Sequence, residues 1–125
     1  EEVMIVNLTQ HPATPDQLAA GVVDLSEPTL GALRRLLTFE DLPDDGEVYR
    51  RAVAIAEIAE ASGCSHAMLG GAPFLMAPLE REVAHRSIEP VYAFSRRESI
   101  EEPQPDGSVR KVNVFRHAGF VAWGG

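Results

Sequence analysis

The stretch "VMIVNLTQHPATPDQ", residues 3–17, decides the fold. Its first part, Val3–Leu8, is an apolar run broken only by Asn7, short and β-branched enough for a fully buried strand. Its second part carries the signature of a helix start. Thr14 is suited to the N-cap, Pro15 to the first helical position, Asp16 to the first turn, and Gln17 follows the cap by three residues. A buried strand that passes straight into a helix opens a β/α unit, and parallel strands require such crossovers.

Working outward, the same alternation recurs. "VVDL" (22–25) reads as a second strand, and "SEPT" (26–29) opens a helix whose buried stripe is Leu30, Leu33, Leu36 and Leu37. The loop "FEDLPDDGE" ends in carboxylates suited to the next helix, about residues 47–62, which stops at Gly63. "SHAMLGG" gives a third strand over 65–69. "APFLMAPLEREVAHRS" gives a fourth helix with a kink or late start at Pro78, and "EPVYAFS" a fourth strand over 90–95. After that the pattern changes. "RRESIEEPQ" and "SVRKVNVFRHAGFVAW" flank Pro105-Asp106-Gly107, a turn sequence, so an antiparallel hairpin is expected across 98–121. The expectation is an α/β fold: a Rossmann-like, mostly parallel sheet flanked by helices with a C-terminal antiparallel β-hairpin, forming a single domain over 1–125.

With 125 residues, 45% apolar and 24% charged, the chain suits one core. Its one cysteine, Cys64, excludes an internal disulfide and a CxxC metal site. No apolar run is long enough to span a membrane and no secretion segment is seen, so a cytoplasmic protein without a membrane partner is expected. A net charge of −8 argues against binding long nucleic acid. The charge is uneven, however: residues 1–87 hold 14 acidic and 6 basic side chains, and residues 88–125 hold five of each. A small anion could be held in that last part.

In an open α/β sheet, ligands bind beyond the carboxyl ends of the strands, near helix N-termini. That rule gathers "NLTQHPATPDQ", "GGAPF" and "SRRES" along one rim. Asn7, Thr9, Gln10, His11, Thr14 and Gln17 are the candidates from the first segment, Gly70 and Gly71 from the second, Arg96 and Arg97 from the third. Arg116, beside His117, is a further cation in the last strand. Glycines let a backbone approach a ligand, arginines suit phosphate, and a histidine such as His11 suits acid–base work. Each has a plainer reading: a tight turn, a solvated cation, a histidine that pins its loop. His11, His66, His85 and His117 lack metal-ligand spacing, so no metal is expected, and no cofactor or covalent-nucleophile motif is present.

At His11-Pro12-Ala13-Thr14-Pro15-Asp16-Gln17 the chain resembles the "H-x-hydrophobic-T-x-E-Q" stretch of small CRISPR-associated Rossmann-fold proteins, the CARF-type ring nucleases of antiviral defence. It is also similar to small proteins of phages and other mobile genetic elements. The resemblance implies a homodimer whose rims meet about a two-fold axis around one cyclic oligoadenylate. It also implies metal-independent cleavage, in which the ligand's ribose 2′-OH attacks the neighbouring phosphate, with His11 and Thr14 as the catalytic contacts. Three functions follow as expectations: a cyclic-oligonucleotide binder that cleaves its ligand, a non-enzymatic nucleotide sponge or sensor, and a protein-interaction module.

Overall fold

The computed structural model describes residues 3–122; Trp123, the end of the stretch read as the last strand, lies outside them. Strand β1 (Ile5–Asn7) leads through α1 (Pro15–Ala19) to β2 (Val22–Val23), then through α2 (Thr29–Leu37) and α3 (Asp45–Ser62) to β3 (His66–Met68). Helix α4 (Pro73–His85) leads to two long strands, β4 (Glu89–Pro103) and β5 (Val109–Ala122). The sheet order is β2-β1-β3-β4-β5. The first four strands are parallel, with Ile5 against both Val22 and His66, and Met68 against Val91; β5 alone is antiparallel. The fold is therefore the α/β, mostly parallel sheet with a terminal hairpin that the alternation predicts.

Strand residues divide between two faces because successive side chains point oppositely. Val6, Leu8, Ala67 and Leu69 face α2, α3 and α4, where Leu33, Ile55, Leu75 and Leu79 are wholly buried. Each such side chain contributes about 1.5–3 kcal/mol relative to exposure. Ile5, Val22, Met68 and Val91 face the other way, covered by Ala13 and by Phe120 of β5. The last strand curls far enough round this thinner face to touch α1.

Local signals explain the helix ends. Thr14 and Gln17 form the capping box of α1, Asp44 accepts from the Glu47 amide at the start of α3, and Gly63 ends α3 at φ 75°. Arg51 fixes the α2–α3 loop: it pairs with Glu47 at 2.7 Å, lies over the Phe39 ring, and donates to the carbonyls of Arg35, Leu36 and Thr38. A cation on those carbonyls suits a helix C-terminus.

One expectation is corrected. The fourth parallel strand and the first strand of the hairpin are a single element, since β4 runs unbroken through "SRRES". Beyond Val91 it leaves β3 and pairs only with β5, so the two form an exposed two-stranded ribbon. At about 3.4 Å per residue the ribbon extends roughly 40 Å past the sheet. Among the described residues no helix is long and apolar enough to cross a membrane.

Candidate functional site

Where β1 and β3 end and β4 runs on past them, a cavity of about 470 Å³ opens at the carboxyl edge of the sheet. Thr9, Gln10, His11, Thr14 and Gln17 form one wall and Gly70, Gly71 and Ala72 another, with Tyr92 and Ala93 of β4 behind and Leu37, Met68 and Leu69 as the apolar floor. Seven of the eleven sequence candidates thus converge, as the strand-end rule requires.

Most of the polar atoms in the first wall hold the loop itself. Asn7 is buried rather than lining the cavity. Its Oδ1 accepts from the amide and hydroxyl of Thr9, and its Nδ2 donates to the His11 carbonyl at 2.8 Å and to Asp24 Oδ1 at 2.9 Å. Asp24 in turn accepts from the Ala13 amide. Thr14 and Gln17 exchange the two bonds of the capping box, and Gln10 Nε2 donates to Thr38 Oγ1. The Asn7 and Thr9 polar atoms, and the capping oxygens of Thr14 and Gln17, therefore serve the fold first. The His11 imidazole, by contrast, has no hydrogen bond or ion pair among the described residues.

The glycine pair has a packing reason. A Cβ on Gly70 would stand 3.0 Å from Thr9 Cγ2, so glycine lets the β3–α4 turn close onto the β1 loop. Gly71 sits at φ 147°, a conformation that L side chains rarely adopt. Behind them α4 starts at Ala72 with no side-chain cap, which leaves its first-turn amides without a side-chain acceptor at the positive end of the helix dipole.

Tyr92 is a lining residue that sequence reasoning missed. Its hydroxyl donates to Glu80 Oε2, and burial, together with that carboxylate, pushes the phenol well above its ordinary pKa. Asp24, the brace of the loop, was missed as well; both act through partners distant in sequence, for which no local signal exists.

Arg96, Arg97 and Arg116 do not line the cavity, and their assignment to the rim is corrected. That assignment assumed β4 ended at Ser95. Because the strand continues, these residues stand on the ribbon beyond the wall formed by Tyr92 and Ala93, where Arg96 lies opposite Arg116 and Arg116 pairs with Glu98 at 2.9 Å. His66 pairs with Glu89, His85 is exposed on α4, and His117 packs on Phe120. None of the three is at this rim.

The family model of the "Uncharacterized protein MJ1673 family" matches residues 3–121, and the chain belongs to that family. No curated protein and no solved structure matches it.

Proposed function

We propose that this member of the MJ1673 family binds a cyclic oligonucleotide of the oligoadenylate class at the strand-end rim of a homodimer, as the CARF-type proteins it resembles do. One observation carries the reading. In a chain with 19 acidic residues, none of the described carboxylates lines the cavity, whereas an imidazole, two threonines, two glutamines and the amides before α4 do. A site free of negative charge at a helix N-terminus suits phosphate and ribose, and its apolar floor suits part of a base.

Slow, metal-independent cleavage is the second part of the proposal. The ribose 2′-oxygen attacks phosphorus and the P–O5′ bond breaks, giving a 2′,3′-cyclic phosphate and a 5′-hydroxyl. The proton lost from the 2′-OH is balanced by one delivered to O5′. His11 is the lining imidazole that can carry it, since Tyr92 is held in its neutral form.

A non-enzymatic sponge is the second reading, favoured by the many lining groups already committed to the loop. Incubation with a panel of cyclic oligonucleotides in EDTA, followed by mass spectrometry, tests both. Cleaved product supports the ring nuclease, bound and unchanged nucleotide supports the sponge, and no binding of any ring overturns the ligand reading.

A further inference from the structure

The ribbon has a free edge with a self-complementary charge order, and we infer that two copies of this chain pair there, β4 against β4, about a two-fold axis through Ser99. The inference stands apart from the ligand reading, whose dimer of CARF type would instead bring the two rims together through a different face.

The edge follows from the hydrogen bonds. Glu89 N donates to Ser65 O and Leu69 N donates to Val91 O, so the odd-numbered residues of β4 turn their backbone groups toward β3. Gln104 N donates to Ser108 O, so the even-numbered residues turn theirs toward β5. Past Val91, where β3 has ended, Ala93, Ser95, Arg97, Ser99 and Glu101 present their amides and carbonyls to no strand among the described residues. A long unpaired edge on a bare two-stranded ribbon is a template for another strand, and two strands alone are marginally stable in water.

The register follows from charge. Antiparallel pairing through this edge must set odd residues opposite odd ones. Centred on Ser99, it places Arg97 opposite the partner's Glu101 and Arg96 opposite the partner's Glu102, each twice by symmetry. Centring on Glu98 would oppose Glu98 to itself, and centring on Ile100 would oppose Glu98 to Glu102; both bring like charges together. Arg96, Arg97 and Glu101 have no ion pair within the chain among the described residues, while Glu102 meets Arg110 at 3.5 Å and can accept a second cation. The outer edge of β5 offers no such match, for Val109–Ala122 contains Arg110, Lys111 and Arg116 and no acid. Pairing of β4 with a partner's β5 would be heterologous, giving a ring or an open filament rather than a two-fold dimer.

The Ser99-centred register yields roughly eight inter-strand backbone bonds. It also sets Ala93, a wall of the cavity, opposite the partner's Pro105. The tip of each ribbon thereby reaches the rim of the other copy. The two rims lie roughly 40 Å apart along the paired strands, so the dimer has two cavities, each flanked by both chains.

The test is charge reversal read by sedimentation in low salt. Arg96→Glu with Arg97→Glu, and separately Glu101→Arg with Glu102→Arg, should each weaken self-association by at least about tenfold, because every facing pair becomes repulsive. Mixed together, the two variants should form a one-to-one heterodimer, since every facing pair is then opposite in sign. Ser99→Pro should also give monomer, as it removes an outward amide and leaves the β4–β5 ladder intact. Wild-type protein that stays monomeric at high micromolar concentration overturns the inference. So does a dimer that persists in both reversed variants, or a mixture that fails to pair. Should a reversed variant not fold by circular dichroism, Ser99→Pro decides alone: monomer supports the interface and dimer refutes it.

Discussion

Asn7 Nδ2 donates to the carbonyl of His11 at 2.8 Å, so a buried amide beneath the rim holds the backbone of its one unengaged imidazole. Removing that amide also strips a partner from Asp24 and two acceptor contacts from Thr9. Asn7→Ala is expected to cost about 1–3 kcal/mol, the penalty for leaving such groups unsatisfied. Thermal melting measures the loss, and hydrogen exchange should rise first in residues 9–13.

His11→Ala should behave in the opposite way. The side chain is exposed and makes no hydrogen bond among the described residues, so stability should stay within about 0.5 kcal/mol. If it exchanges the proton in cleavage, turnover should fall roughly a hundredfold or more with little change in affinity. Joint loss of melting temperature and binding would instead make His11 a loop pin. Thr14→Ala is the contrasting variant, expected to lose about 1 kcal/mol with the N-cap.

Gly70→Ala should destabilise through one contact, the approach to Thr9 Cγ2. Thr9→Ser removes that methyl and keeps the hydroxyl bonded to Asn7, so the double variant should recover much of the loss. Gly71→Ala has no such rescue, because its cost is backbone strain of about 1–3 kcal/mol. Denaturant melts of the four proteins separate the two causes.

Tyr92 gives a pH signature. Its folded pKa is raised, chiefly by burial and further by Glu80, so the neutral phenol is the form that folding favours. That stability is fully present below the unfolded value of about 10 and is lost as pH rises from there toward the folded value. In a Tyr49→Phe background, which leaves Tyr92 as the one tyrosine, phenolate absorbance should appear only well above pH 10 in the folded protein. Tyr92→Phe should flatten the alkaline decline in melting temperature.

Much of the fold was legible because apolar periodicity and caps are local. Val3–Leu8 had to be buried, Thr14-Pro15-Asp16-Gln17 had to start a helix, and Gly63 had to end one. The rim followed from topology, which brought His11 and Gly70 together although nothing in the sequence between them says so. The ribbon was cut at Ser95 because a two-stranded arm with solvent on both faces needs no apolar alternation, so "SRRES" looked like a strand end. The site reading was harder for a different reason. Polar side chains in a loop look alike whether they face a ligand or one another, and only the geometry separated the Asn7 amide, tied to Asp24, from the His11 imidazole, which has no hydrogen bond among the described residues.

The position of β1 between β2 and β3 also governs how the chain is made. Ile5 leaves the ribosome before its partner His66, which emerges only after α1, β2, α2 and α3 have been synthesised. Until then one edge of β1 is open, and the apolar side chains of Val6 and Leu8 await the α4 residues that complete their core. Long-range parallel pairing of this kind is slow and leaves strand edges exposed during synthesis. The nascent chain therefore carries an open strand edge and bare apolar side chains that the finished fold covers.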